Sequence, residues 1–172
     1  MMNKVYLCID LKTFFASVEC SERHLDPFKT NLVVADPTRG NGALCLAITP
    51  KMKSMGIHNR CRIFEIPKGV EYITAMPRMH LYMEYSARIY RIYCRFVSPD
   101  DIHVYSIDEV FIDATHYLDT YELDAFHLVQ NIIHDIYKEV GITVTAGIGT
   151  NLYLAKVAMD IVAKHKEPDE KG

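Results

Sequence analysis

Apolar residues in this chain fall into short, nearly continuous runs and into longer stretches where they recur every three or four positions. The first run, Lys4 to Ile9, ends at Asp10 and reads as a strand buried on both faces with a carboxylate at its C-terminal end. A helix follows directly, with Phe14, Val18 and Ser21 on one face, Phe15 and Glu19 on the neighbouring one, and Thr13 placed to cap it. Its first amide groups would point back towards Asp10 and suit phosphate oxygens, because orphan N–H groups and the helix dipole attract anions. Asn31 to Ala35 and Ala43 to Ile48 read as a hairpin around the turn-rich tip 36–42. Pro50 opens a short helix, Lys51 to Met55, that stops at Gly56, and Tyr72 to Ala75 is a brief strand closed by Pro77. From Arg78 to Val97 the positions Tyr82, Tyr85, Ile89, Ile92 and Phe96 predict a long amphipathic helix, with Arg78, Arg88, Arg91 and Arg95 on its solvated side.

The second half carries the chemistry. His103 to Tyr105 and Val110 to Ile112 are β-branched and aromatic, so each reads as a strand, with Asp108 and Glu109 at the tip between them. Side chains alternate along an extended chain, so the two carboxylates cannot both face solvent if the segment stays extended. Leu123 to Val140 predicts a second amphipathic helix through Phe126, Val129, Ile133, Ile136 and Tyr137. Ile142 to Ile148 is a β-branched strand, and Gly147 to Asn151 turns into a last helix, Leu152 to Ala163, capped by Thr150 or Asn151. The tail from His165 to Gly172 offers no core residues. This order predicts an α+β fold, a sheet with helices stacked on one face.

If the strands of Asp10 and of Asp108-Glu109 are sheet neighbours, three carboxylates meet at one edge. Close like charges raise a carboxylate's pKa unless a cation neutralises them. Hard oxygen donors at that density suit Mg²⁺ or Mn²⁺ rather than zinc. Two such ions, about 3.5–4 Å apart, serve phosphoryl or nucleotidyl transfer. A polar hairpin turn is the plainer reading of Asp108-Glu109 alone. Lys51, Lys53, Arg60 and Arg62 form the densest basic cluster, either a solvated face or a triphosphate clamp.

Composition narrows the rest. At 172 residues the chain is one ordinary domain, with or without a small appendage. Its 19 basic and 22 acidic side chains give a net charge of −3, so any nucleic-acid contact must come from a local patch or another part of the protein. Five dispersed cysteines without a CxxC pair point to a reduced, cytoplasmic setting. The eight histidines are scattered too, and no run has the length of a membrane span or the layout of a secretory signal.

Three motifs together resemble the Y-family translesion DNA polymerases. They are Ile9-Asp10-Leu11-Lys12-Thr13-Phe14-Phe15-Ala16-Ser17-Val18-Glu19, then Tyr105-Ser106-Ile107-Asp108-Glu109, then Gly147-Ile148-Gly149-Thr150-Asn151-Leu152-Tyr153-Leu154-Ala155-Lys156. Their order and spacing match the family and cover almost the whole chain. Lys12, where the DinB branch usually has a second Asp, makes the chain more similar to the UmuC-like branch.

The resemblance implies a ferredoxin-like polymerase palm over residues 1–25 and 72–172, with a small inserted fingers subdomain over 26–71. Asp10 and Asp108 would bridge two Mg²⁺ ions, Mn²⁺ being a substitute. The Leu11 carbonyl would complete the nucleotide-side ion, and Glu109 would help hold the ion at the primer hydroxyl. Phe15 falls on the steric gate, the ring that collides with a ribose 2′-OH. The Phe14 and Phe15 amides, Thr49, Lys53 and Lys164 would bind the triphosphate. Two departures stand out: Pro50 and Lys53 occupy positions where the family presents a Tyr and an Arg, and Lys164 sits one residue beyond the family's palm lysine. A lysine supplies charge without a bidentate fork. The implied partners are primer–template DNA and a deoxynucleoside triphosphate, with a sliding clamp reached through regions outside these residues, and the implied setting is DNA damage repair and the SOS response. The family's thumb and little-finger domains are expected beyond this chain, so it is expected to be an N-terminal fragment with little or no processive synthesis alone. The alternatives are a palm-fold nucleotide cyclase, which would need a purine-reading pocket and no aromatic gate, and a non-catalytic damage-response scaffold, in which clustered carboxylates would only destabilise the fold.

Overall fold

The computed structural model describes residues 4–166, 168, 169 and 172. The outermost positions of the proposed palm, 1–3, and the tail residues 167, 170 and 171 lie outside the described residues. The chain divides into two compact units, one built from residues up to Lys12 together with Met83–Gly172, the other from Thr13–Tyr82.

The larger unit is built on a four-stranded sheet. β1 (Tyr6–Leu11) lies between β6 (Glu109–Asp113) and β7 (Val144–Gly149), with β5 (Ile102–Val104) outside β6, and every pairing is antiparallel. β1 is buried on both faces: Leu7, Cys8 and Ile9 are all fully inaccessible, as its unbroken apolar run requires. One face of the sheet is covered by α6 (Leu152–Val157) and the π-helical turn Ala158–Val162, whose Ala155 and Met159 pack on Cys8 and Phe111. On the other side, Val129 and Ile133 of α5 (Ala125–Val140) face Val144, Ala146 and Ile148, the β7 residues that alternate with Gly147 and Gly149. The later part of α3 (Met79–Phe96) runs beside α5, joined by Arg95 to Asp135 at 3.0 Å and Glu139 at 2.6 Å. The two long helices thus share a face, as the pattern predicts, and the last short helix closes the opposite one.

Several local differences have physical reasons. Phe126 and Tyr137 are exposed, while Leu128, Ile132 and Val140 are buried, because the buried stripe of α5 is rotated from the predicted one. Asp124 begins this helix by accepting the His127 amide at 2.8 Å. A short helix, α4 (Tyr117–Tyr121), precedes it, and its length of little more than a turn leaves no periodic signal. The tail does reach the core at its end: Gly172 is buried, and its carbonyl accepts the Val144 amide at 3.1 Å.

The smaller unit contains α1 (Phe14–Glu22) and a three-stranded sheet in the order β3 (Ala47–Ile48), β2 (Leu32–Val34), β4 (Ile73–Ala75). β2 pairs antiparallel with β3 and parallel with β4. The predicted hairpin is real but short, since Leu44 leaves the sheet to bridge Arg62. α2 (Pro50–Ser54) drops Met52 into the core below. Thr13 stands at the N-cap of α1 in a left-handed conformation, and its hydroxyl meets Ser17 Oγ at 3.0 Å instead of capping the helix.

Candidate active site

Strand register builds the acidic edge. Asp10 at the end of β1 lies opposite Glu109 at the start of β6, and the Leu11 amide donates to the Asp108 carbonyl at 2.9 Å. The turn between β5 and β6 is fixed by the Tyr105 and Ser106 amides, both donating to the Glu109 carbonyl at 3.0 Å. Ser106 Oγ donates to Asp108 Oδ1 at 2.6 Å, and Ser86 Oγ to the Ile107 carbonyl at 2.7 Å. Glu109 is buried at the start of β6 and Asp108 is half-buried in the bend before it, so the extended backbone that would alternate the two begins only at Glu109.

The glycines of the third motif bring α6 onto this edge. Gly147 lies opposite Cys8 in the sheet, and a methyl group there would overlap the Ala155 carbonyl and the Met159 amide. One at Gly149 would overlap the Ala155 amide. Only residues without a Cβ let the helix backbone approach so closely. Asn151 caps α6 by accepting the Leu154 amide at 2.8 Å. Lys156, one turn along, then places Nζ 2.7 Å from Glu109 Oε1 and 2.8 Å from Oε2.

Sequence reading gave Lys156 and Asp160 no role. Asp160 joins two cations, Lys156 at 3.2 Å and Lys164 at 2.9 Å, and Lys164 reaches Asp10 Oδ2 at 3.2 Å. The turn at Ala158–Val162, just before Lys164, is π-helical and takes up one residue more than an α-helical turn. No local pattern in the sequence marked it.

Electrostatics at the edge are unbalanced. Burial pushes the Asp10 carboxyl up to about 6; Lys164 works against this, and Asp108 and Glu109 add to it. Burial would lower both lysines, but their carboxylate partners hold Lys156 and Lys164 above the usual range. The Cys8 thiol, pushed up to about 12 by burial and then by Glu109, donates to Glu109 Oε1 at 3.5 Å as a neutral group. Among the described residues no three His, Cys, Asp or Glu side chains are disposed to hold a metal ion. Ammonium groups occupy the carboxylates instead. Two lysines pair with Asp10, Glu109 and Asp160, while Asp108 takes the Ser106 hydroxyl, so the donor set suits a divalent ion in kind, as hard oxygens, though not in its present arrangement.

The other sequence-derived residues belong to the smaller unit. Phe14 is buried, and Phe15 is half-buried with its ring stacked on Tyr82, centroids 4.5 Å apart and planes 15° from parallel. Thr49 is buried, its hydroxyl donating to the Thr30 carbonyl at 2.7 Å and accepting the Leu32 amide at 3.3 Å. Lys53 is exposed on α2. Arg62, from the same basic cluster, donates to the Gly42 carbonyl at 2.7 Å.

Residues 9–160 match the impB/mucB/samB family. This chain belongs to that family. UvrX of Bacillus subtilis (strain 168) is 35% identical over 163 residues, 94% of this chain and 38% of UvrX. DNA polymerase IV 2 of Halalkalibacterium halodurans is 35% identical over 164 residues, 95% of this chain and 39% of that protein. The chain therefore spans about two fifths of the length of these curated relatives. Among solved structures, the Y-family DNA polymerase chimera Dbh-Dpo4(243-245)-Dbh superposes with a TM-score of 0.78 at 25% identity, covering 95% of this chain and 46% of that one. At the level of family and fold, the resemblance seen in the three motifs is borne out: this impB/mucB/samB chain has the fold of the N-terminal part of Y-family polymerases. Among its described residues no helix is long and apolar enough to cross a membrane.

Proposed function

We propose that this chain is the catalytic core of a translesion DNA-directed DNA polymerase acting in DNA damage repair and the SOS response, with palm over residues 1–25 and 72–172 and fingers over 26–71. The single observation that carries the reading is the register that sets Asp10 opposite Glu109 with Asp108 bonded to Leu11. Asp10, Asp108 and the Leu11 carbonyl would hold an Mg²⁺ ion on the nucleotide side, and Glu109 would join the two aspartates on the primer side. When bound, such ions lower the pKa of the attacking hydroxyl and neutralise the leaving phosphate.

The chain's own residues do the remaining work. Lys164, drawn to the edge by Asp10 and Asp160, carries a positive charge suited to a triphosphate oxygen. Lys53 supplies a second charge, and the Phe14 and Phe15 amides supply donors at a helix start. Thr49 would contribute only by giving up its bonds to Thr30 and Leu32. The Phe15 ring excludes the ribose 2′-OH. Primer–template DNA and a deoxynucleoside triphosphate are the partners on this reading, with the sliding clamp engaged through other parts of the protein.

A single-insertion assay with the chain in excess over primer–template and Mn²⁺ present tests it. Asp108→Ala should cut insertion about a thousand-fold, equivalent to ~4 kcal/mol of lost charge stabilisation. Insertion at the parent rate would remove Asp108 from the mechanism.

A further inference from the structure

The smaller unit holds a charged cluster that the proposed chemistry does not use. Glu19 has no accessible side-chain surface, yet it follows Phe15 by four residues on α1, so the two side chains lie on one face of that helix. Its carboxylate is saturated with donors. Tyr82 Oη donates to Oε1 at 2.7 Å, Arg78 donates from Nε to Oε1 at 3.0 Å and from Nη2 to Oε2 at 2.7 Å, and Arg23 Nη1 also donates to Oε2. Arg23 is itself anchored, donating to the Glu19 carbonyl at 2.9 Å. Arg78 and Tyr82 stand one turn apart and close on Glu19 together.

An ion pair whose carboxylate is buried while both arginines keep exposed surface is a modest source of stability. What it supplies is direction. The ring of fully buried Tyr82 is held at its hydroxyl by Glu19, and the flat face of that ring is where Phe15 rests. We propose that Glu19, clamped by Arg78 and Arg23, is a positioning residue that fixes the Phe15 ring through Tyr82 and thereby sets how strictly a 2′-hydroxyl is refused. The sugar-selection half rests on the reading of Phe15 as the steric gate; the positioning half stands on the contacts alone.

Glu19→Gln is the informative variant, because it keeps the size of the side chain but turns one acceptor into a donor facing Arg78 and Arg23. The 172-residue chain is labelled with 3-fluorophenylalanine and the Phe15 resonance is assigned through Phe15→Leu. In the parent that resonance should be displaced by the Tyr82 ring current. It should lose at least half of the displacement in Glu19→Gln and all of it in Tyr82→Leu, while far-UV and thermal profiles show that Glu19→Gln remains folded. The ratio of dATP to ATP affinity, read by displacement of a fluorescent nucleotide, should fall about ten-fold in Glu19→Gln and towards that of Phe15→Ala. An unchanged Phe15 resonance in folded Glu19→Gln overturns the positioning role. If Phe15→Ala lowers the ratio and Glu19→Gln does not, the gate stands and the proposal falls. If Phe15→Ala leaves the ratio unchanged, the gate reading fails, and with it the sugar-selection half.

Discussion

The chain carries two clusters of buried or half-buried acids, and it treats them in opposite ways. Glu19 in the smaller unit meets two guanidinium groups and a phenol. Burial pushes its carboxyl up, but the donors from Arg78, Tyr82 and Arg23 outweigh that and hold it below the usual carboxylate range. At the strand edge of the larger unit, Asp10 has only Lys164, and burial wins. Arginine grips a carboxylate with a rigid planar fork, whereas lysine offers a mobile point charge that readily lets go. The first cluster is closed to any further cation. The second has more carboxylates than ammonium groups, and those ammonium groups are held by contacts that a stronger cation would displace.

Mutations separate the two. Glu19→Ala should have the largest effect on stability, about 3 kcal/mol in urea unfolding, because it leaves the buried Tyr82 phenol without its acceptor and a cavity where a fully buried side chain stood; a loss below 1 kcal/mol would make the closed cluster decorative. Its pH dependence has a definite sign. A carboxyl held below its unfolded value contributes stability above that value and loses it as pH falls through the folded one. The parent chain should therefore lose stability on acidification below the ordinary glutamate range, and Glu19→Gln should lose less. Gly147→Ala comes next, about 2 kcal/mol, since the added methyl forces the α6 backbone off β7. Mn²⁺ affinity by electron paramagnetic resonance should rise with it, because Lys156 and Lys164, which compete with the ion, would leave their carboxylates. Lys156→Met should cost about 1 kcal/mol, a partly exposed charged hydrogen bond, and the loss should be recovered by Mn²⁺ in the parent's buffer; no recovery would contradict the view of lysine as a placeholder. Arg95→Met, which breaks only exposed ion pairs to Asp135 and Glu139, should stay within about 0.5 kcal/mol.

Much of the acidic edge was legible because strand signals are local: the apolar runs of β1 and β6 mark where Asp10 and Glu109 fall. The partners of those acids were not. Lys156 lay within a recognised motif, but nothing local says that it meets Glu109, since that pairing depends on how closely two glycines let a helix approach. Arg78 read as one more solvated arginine of a long helix, because its partner Glu19 is 59 residues away in the chain. On α5 the periodicity found the helix but missed its orientation: tertiary packing chose Leu128 and Ile132 over Phe126 and Tyr137. Thr13 looked like a cap by residue type, and its left-handed backbone removed it from that task.

The wide turn at Ala158–Val162 buffers the end of the chain against a change of length. A π-helical turn absorbs one residue beyond the α-helical repeat, so removing one of its apolar residues would let an ordinary α-helix run through and leave Lys164 on the same side of the axis, still within reach of Asp10. The strand end would thus keep its counterion through a deletion that shortens the helix.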